Sequence, residues 1–123
     1  MSDRSQSYKY ILVVDDDSLI RDMMVDMLEG YSVETARNGS EALTKLRGEK
    51  DYLVFLDLMM PLMTGEELCQ RLNSEPSLRV RHTILLMSAA ALLAQTKSLG
   101  ADGMMPKPFT YEDVMAVVER WVG

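Results

Sequence analysis

The stretch ILVVDDDSLIR, residues 11–21, decides the fold. Ile11, Leu12, Val13 and Val14 are apolar and mostly β-branched, the pattern of a strand buried on both faces. They lead into three consecutive carboxylates, Asp15, Asp16 and Asp17. An apolar helical pattern begins directly afterwards, with Asp17 or Ser18 as its N-cap. A buried strand that ends on like charges and turns at once into a helix is an expensive junction, and it calls for a reason.

Outward from this junction the chain repeats it. The strand extends back to Tyr8. Ile20, Met23, Met24, Met27 and Leu28 form one stripe at helical spacing, and Gly30 ends that helix. Ser32 to Ala36 reads as a short strand. Asn38-Gly39-Ser40-Glu41 starts a second helix with Ala42, Leu43 and Leu46 facing inward. Leu53 to Leu56 is an apolar strand ending on Asp57, followed by a loop from Leu58 to Met63. Thr64 and Glu67 form a capping box for the next helix. Thr83 to Met87 is a strand ending at Ser88, Ala89 to Leu99 a helix closed by Gly100, and Asp102 to Met105 a strand followed by Pro106-Lys107-Pro108. Thr110 and Asp113 cap a last helix whose stripe is Val114, Val117, Val118, Trp121 and Val122. Strand and helix alternate five times. The expected class is α/β: a doubly wound, five-stranded parallel sheet flanked by five helices.

The bulk properties bound the rest. A length of 123 residues gives one domain, with residues 1–8 a polar, frayed lead and residues 9–123 the folded unit. A net charge of −6 argues against direct nucleic-acid binding and against an anionic membrane surface. No apolar run is long enough to span a bilayer, and the first residues lack the apolar core of a signal peptide. The single cysteine, Cys69, cannot form an internal disulfide, which fits a cytoplasmic setting. The 11 methionines read mainly as adaptable core filler.

In a parallel α/β sheet all strands end at one edge, and ligands bind outside it. Asp15 and Asp16, Asp57, Ser88 and Lys107 come to that edge from four different strands. Taken singly, each has a plain structural reading: a cap, a loop residue, a solvated amine. Together they assemble three carboxylates, a hydroxyl and an ammonium. Lys107 neutralises one charge only, so a hard divalent cation is the natural partner, Mg²⁺ with Mn²⁺ as a substitute. A carboxylate beside a cation and a lysine is placed to attack a phosphoryl group. His82, the only histidine, precedes the fourth strand at the opposite edge and is expected on the surface. There is no zinc pattern and no glycine-rich phosphate loop.

The segments ILVVDDD, VFLDLMMPLMTG, ILLMSAA and GADGMMPKPF resemble the receiver domain of two-component response regulators, the CheY-like family, from about Lys9 to Trp121. The resemblance implies strand order 2-1-3-4-5. It implies Asp57 as phosphoacceptor, fed by a phosphohistidine on a sensor histidine kinase or a phosphotransfer protein. It implies Asp16 as a direct Mg²⁺ ligand, Asp15 as a ligand through water, and the Met59 carbonyl completing the set with Asp57. Ser88, the backbone of Ala89 and Lys107 would hold the phosphoryl oxygens, and the Lys107–Pro108 bond would be cis. Two positions depart from the family pattern. Met104 occupies the usually aromatic switch position, and Leu58 follows the phosphoacceptor.

The leading expectation is therefore a phosphorylation-driven switch, not an enzyme with a separate substrate. The alternative is a Mg²⁺-dependent phosphohydrolase of the haloacid-dehalogenase kind, with an aspartyl-phosphate intermediate. It needs an acid two residues after its nucleophile, where this chain has Met59. A third reading, a degenerate receiver serving as a fixed docking domain, is disfavoured because every acidic and basic site residue is present. No output segment is recognisable, so the chain is either a stand-alone regulator or a receiver from a longer protein. The output partner or output domain is not legible in the residues.

Overall fold

The computed structural model describes residues 10–89, 92 and 97–122. Five strands form one sheet: β1 Tyr10–Val14, β2 Ser32–Ala36, β3 Tyr52–Asp57, β4 Thr83–Ala89 and β5 Gly103–Lys107. Their order is β2-β1-β3-β4-β5, and every neighbouring pair is parallel. The central strand β3 is buried at every position, as a strand covered on both faces must be.

Side-chain alternation splits the core in two. Leu12, Val14, Val54, Leu56, Ile84 and Leu86 pack on one face, beneath helices α2 (Gly39–Leu46) and α3 (Gly65–Asn73). Ile11, Val13, Leu53, Phe55, Leu85 and Met87 pack on the other. Helix α1 (Ser18–Met27) and the C-terminal helix Tyr111–Trp121 cover that second face. The sequence stripes do this work: Met24 and Leu28 of the first, Val114 and Val118 of the last, are fully buried. The caps fall where expected, on Asp17, Asn38, Thr64 and Thr110, the last two as complete capping boxes.

Some boundaries differ from the sequence reading. A one-turn helix, Pro76–Arg79, precedes β4; it starts on proline and is too short to show a periodicity. β4 continues through Ser88 to Ala89. β5 begins at Gly103 and runs through Pro106 to Lys107. Proline is tolerated there because β5 is an edge strand. Asp102 is not in the strand: its carboxylate accepts from the Ile84 N–H (2.8 Å) and from Arg79 (2.9 Å). The helix expected over Ala89 to Leu99 falls largely outside the described residues, which show a 3₁₀ turn at Lys97–Leu99. The frayed lead expected over residues 1–8 also lies outside them.

Chain order reverses at β1, which has β2 on one side and β3 on the other. The crevice outside the carboxyl ends of β1 and β3 is where a fold of this kind receives its ligand.

Candidate functional site

β1 delivers the first carboxylate to that crevice. The Asp15 N–H donates to Ala36 O (3.1 Å), which carries the ladder one residue past the strand. The Asp15 side chain is fully buried. One oxygen accepts from the Asp17 N–H (3.0 Å), the other from Lys107 Nζ (2.9 Å). Asp16 stands exposed beside it. Asp57, at the end of β3, is 4% exposed and accepts from the same Lys107 ammonium at 3.2 Å. Each of Asp15, Asp16 and Asp57 offers an oxygen lying within 4.8 Å of the others.

Two buried carboxylates share one ammonium with a third close by, and the imbalance is written into Asp57. Burial, and next the charge of Asp15, push its carboxyl up to about 6, although Lys107 and the Met59 N–H pull the other way. Burial alone would pull the Lys107 ammonium down. Its hydrogen bond to Asp15 and the charges of Asp57 and Asp15 outweigh that and raise it. A divalent cation among the three oxygens would relieve the remaining repulsion. The donor set, all hard oxygen, suits Mg²⁺.

The other expected residues fall around this cluster in different ways. Asp57 pairs with Met87 in the sheet register, so Ser88 lies one step beyond it on β4, buried at 3% exposure. Ala89 is opposite Lys107 in register and exposed. The Lys107–Pro108 bond is cis. Met59, two residues past Asp57, is exposed between the buried Leu58 and Met60. Met104 is not in the crevice; alternation on the edge strand buries Met105 and leaves Met104 46% exposed.

His82 corrects an expectation. It is 2% exposed, not a surface residue. Its Nδ1 accepts from the Tyr52 N–H (3.1 Å), and its Nε2 lies 3.0 Å from Leu46 O. Since an amide N–H only donates, Nδ1 is the bare nitrogen and Nε2 donates to the carbonyl. A histidine beside a run of polar residues gives no sign in the sequence of two backbone partners 30 and 36 positions away.

Three further residues matter to the site and were not singled out from sequence. A Cβ at Gly65 would collide with the backbone oxygen of Asp57, so only glycine lets α3 begin against the end of β3. A Cβ at Gly39 would lie 2.6 Å from Met63 O, which the Gly39 N–H binds at 3.0 Å. The loop after Asp57 thereby rests on the first turn of α2. Arg21 reaches back from α1 to the carbonyl of Asp15. The two glycines follow helix-start residues, the only sequence signal available.

The comparisons with known proteins agree with this geometry. The family model for the response regulator receiver domain matches residues 11–119, and the chain belongs to that family. It is a receiver domain of two-component signalling, a switch whose acidic pocket of Asp15, Asp16 and Asp57 fits the phosphoacceptor site. The response regulator MprA of Mycolicibacterium vanbaalenii is 38% identical over 111 residues, covering 86% of this chain and 47% of MprA. The chain thus spans about half the length of the curated relatives it matches. Among solved structures, the chemotaxis protein CheY4 of Vibrio cholerae superposes with a TM-score of 0.78 at 31% identity, covering 94% of this chain and 99% of CheY4. The response regulator TrrA of Thermotoga maritima, solved in complex with Mg²⁺ and BeF, gives 0.79 at 32% identity, covering 92% and 98%. The phosphohydrolase alternative finds no support among these relatives.

Proposed function

We propose that Asp57 is the phosphoacceptor and that this chain catalyses its own phosphorylation and dephosphorylation. A carboxylate oxygen of Asp57 attacks the phosphorus of a phosphohistidine; the P–O bond forms, the P–N bond breaks, and the imidazole leaves with a proton. Asp16, Asp57 and the Met59 carbonyl would hold Mg²⁺, with Asp15 contributing through water. The ion supplies charge neutralisation on the phosphoryl oxygens. Mn²⁺, with the same oxygen preference, substitutes. Lys107 pairs with a phosphoryl oxygen, while Ser88 and the Ala89 N–H donate to the others. The observation that carries this reading is the single ammonium of Lys107 shared by two buried carboxylates, with a third within reach.

The phosphodonor is a sensor histidine kinase or a phosphotransfer protein. Leu19 in the first turn of α1, and Met59 and Leu62 on the loop after β3, all exposed by 65–81%, offer it apolar contact. Met104 takes the switch position, and its unbranched side chain adapts without a two-state flip. The phosphorylated form acts on an output partner or output domain, without direct nucleic-acid contact by this unit. A cytoplasmic setting fits its one thiol, Cys69, which is buried and unpaired. Among the described residues no helix is long and apolar enough to cross a membrane.

The test is intact-mass spectrometry after incubation with acetyl phosphate and Mg²⁺. One base-labile phosphoryl group should appear, and it should vanish in Asp57→Asn and in excess EDTA. Stoichiometric labelling of Asp57→Asn would overturn the assignment.

A further inference from the structure

We propose that Arg21 is a positioning residue for the acidic pair: it fixes the peptide that aims Asp16. This rests on the reading of the acidic edge as a divalent-cation site. Of the three successive carboxylates, two are already tied. Asp15 accepts from the Asp17 N–H and from Lys107, and Asp17 caps α1 through the Leu19 N–H at 2.9 Å. Asp16 is exposed, so its direction depends on the backbone that carries it.

That backbone is held from α1. Arg21 Nη1 donates to the Asp15 carbonyl at 2.8 Å, and the Arg21 N–H donates to Asp17 O at 3.1 Å. The Asp15 carbonyl belongs to the same planar peptide as the Asp16 nitrogen. Fixing that oxygen fixes the plane on one side of Asp16, and the Asp17 N–H, bound to Asp15 at 3.0 Å, restrains the plane on the other; together they limit the departure of the Asp16 Cα–Cβ bond. The guanidinium therefore closes the turn between β1 and α1 from its far side, six residues along. This ring leaves Asp16 one main freedom, rotation of its own side chain.

Charge and geometry make opposite demands on this residue, which makes the idea testable. A cation next to a cation site repels the incoming ion, so its removal should tighten binding. If Arg21 acts by aiming Asp16, its removal should weaken binding instead.

The experiment uses Arg21→Met, which keeps the apolar stem and loses both charge and donor. Two quantities are read: Mg²⁺ affinity by isothermal titration, and solvent exchange of the Asp17 amide by NMR in chelator-treated protein. Affinity should fall on the order of tenfold, as for other residues that orient metal ligands. Exchange at Asp17 should quicken several-fold, because its acceptor sits on the loosened turn. Equal or tighter Mg²⁺ binding, or unchanged exchange at Asp17, overturns the proposal. Should Arg21→Met not fold, Arg21→Lys keeps the charge on a stem one bond shorter and carries the same expectations. Failure of the unaltered protein to bind Mg²⁺ would count against the cation-site reading itself, and the exchange measurement would then decide the role of Arg21 alone.

Discussion

The two ends of the sheet treat charge in opposite ways. At the end where the strands begin, charged groups are matched. Glu34 accepts from Lys50 (2.7 Å), Lys45 (3.5 Å) and the Tyr52 hydroxyl (2.9 Å). Burial works against the Glu34 carboxyl, but these partners outweigh it and hold it below its usual range. Burial, and next the bond to Glu34, push the Tyr52 hydroxyl up to about 12. Arg81 binds Asp51 and the carbonyls of Gly48 and Lys50, and Arg79 binds Asp102 with the carbonyls of His82 and Gly100. His82 joins this lattice through both ring nitrogens. At the end where the strands finish, three carboxylates face one ammonium. The closed end stabilises the fold. The open end holds a repulsion that a cation can relieve, so the site costs stability until it is filled.

The contrast can be broken most easily at the closed end. His82→Ala leaves the Tyr52 N–H and the Leu46 carbonyl buried without partners. Urea unfolding should show a loss on the order of 3 kcal/mol. Phosphorylation of Asp57 should persist at temperatures where the variant is folded; its loss there would show that the two ends are not separable. Acid should sharpen the contrast. Burial, the largest influence on it, lowers the His82 pKa from the ordinary 6.5, so the unfolded chain binds a proton first. The His82 contribution is therefore lost as pH falls below about 6.5. Asp57 works the other way, because its raised pKa makes the folded form the better proton acceptor between about 6 and about 4. In chelator-treated protein, His82→Ala should gain stability on going from neutral to mildly acid pH, relative to the unaltered protein.

A smaller effect is expected at the open end. Leu62 has φ of +67° and is 81% exposed. A leucine in the left-handed region is strained by about 1–2 kcal/mol. The flexibility that glycine adds to the unfolded chain offsets part of this, so Leu62→Gly should gain about 0.5 kcal/mol in urea unfolding. A clear loss would mean that the exposed side chain makes contacts worth more than its strain. The smallest effect concerns Trp121, which lines a hollow with His82 and Asp102 at the closed end. Its fluorescence should respond to acid and stay constant on Mg²⁺ addition. A saturable change with Mg²⁺, absent in Asp16→Ala, would show that the ends communicate.

Much of this arrangement was legible in the residues, and the division has a physical cause. The strands and capped helices follow from local pattern: apolar runs, 3.6-residue stripes, and Thr64–Glu67 and Thr110–Asp113 boxes. The open end was legible because parallel topology brings all strand ends together, so Asp15, Asp57 and Lys107 could be placed without knowing any distance. The closed end was not. Its bonds join residues such as Arg47 and Glu75 or Arg79 and Asp102, whose meeting depends on how loops lie across one edge. The surface position expected for His82 fails for that reason. Gly65 and Arg21 act on backbone atoms of distant or turned segments, which local pattern shows only weakly.

Asp57 is held charged at a cost to the fold, and urea unfolding of the chelator-treated protein beside Asp57→Asn tests this most directly. With the Asp57 carboxyl at about 6 in the folded form, removing its charge should raise stability at pH 7 on the order of 2 kcal/mol. The difference should narrow as pH falls from about 6 toward about 4, the ordinary carboxylate range. Saturating Mg²⁺ should stabilise the unaltered protein more than the variant. An Asp57→Asn protein less stable than the unaltered one at pH 7 without metal would contradict the account.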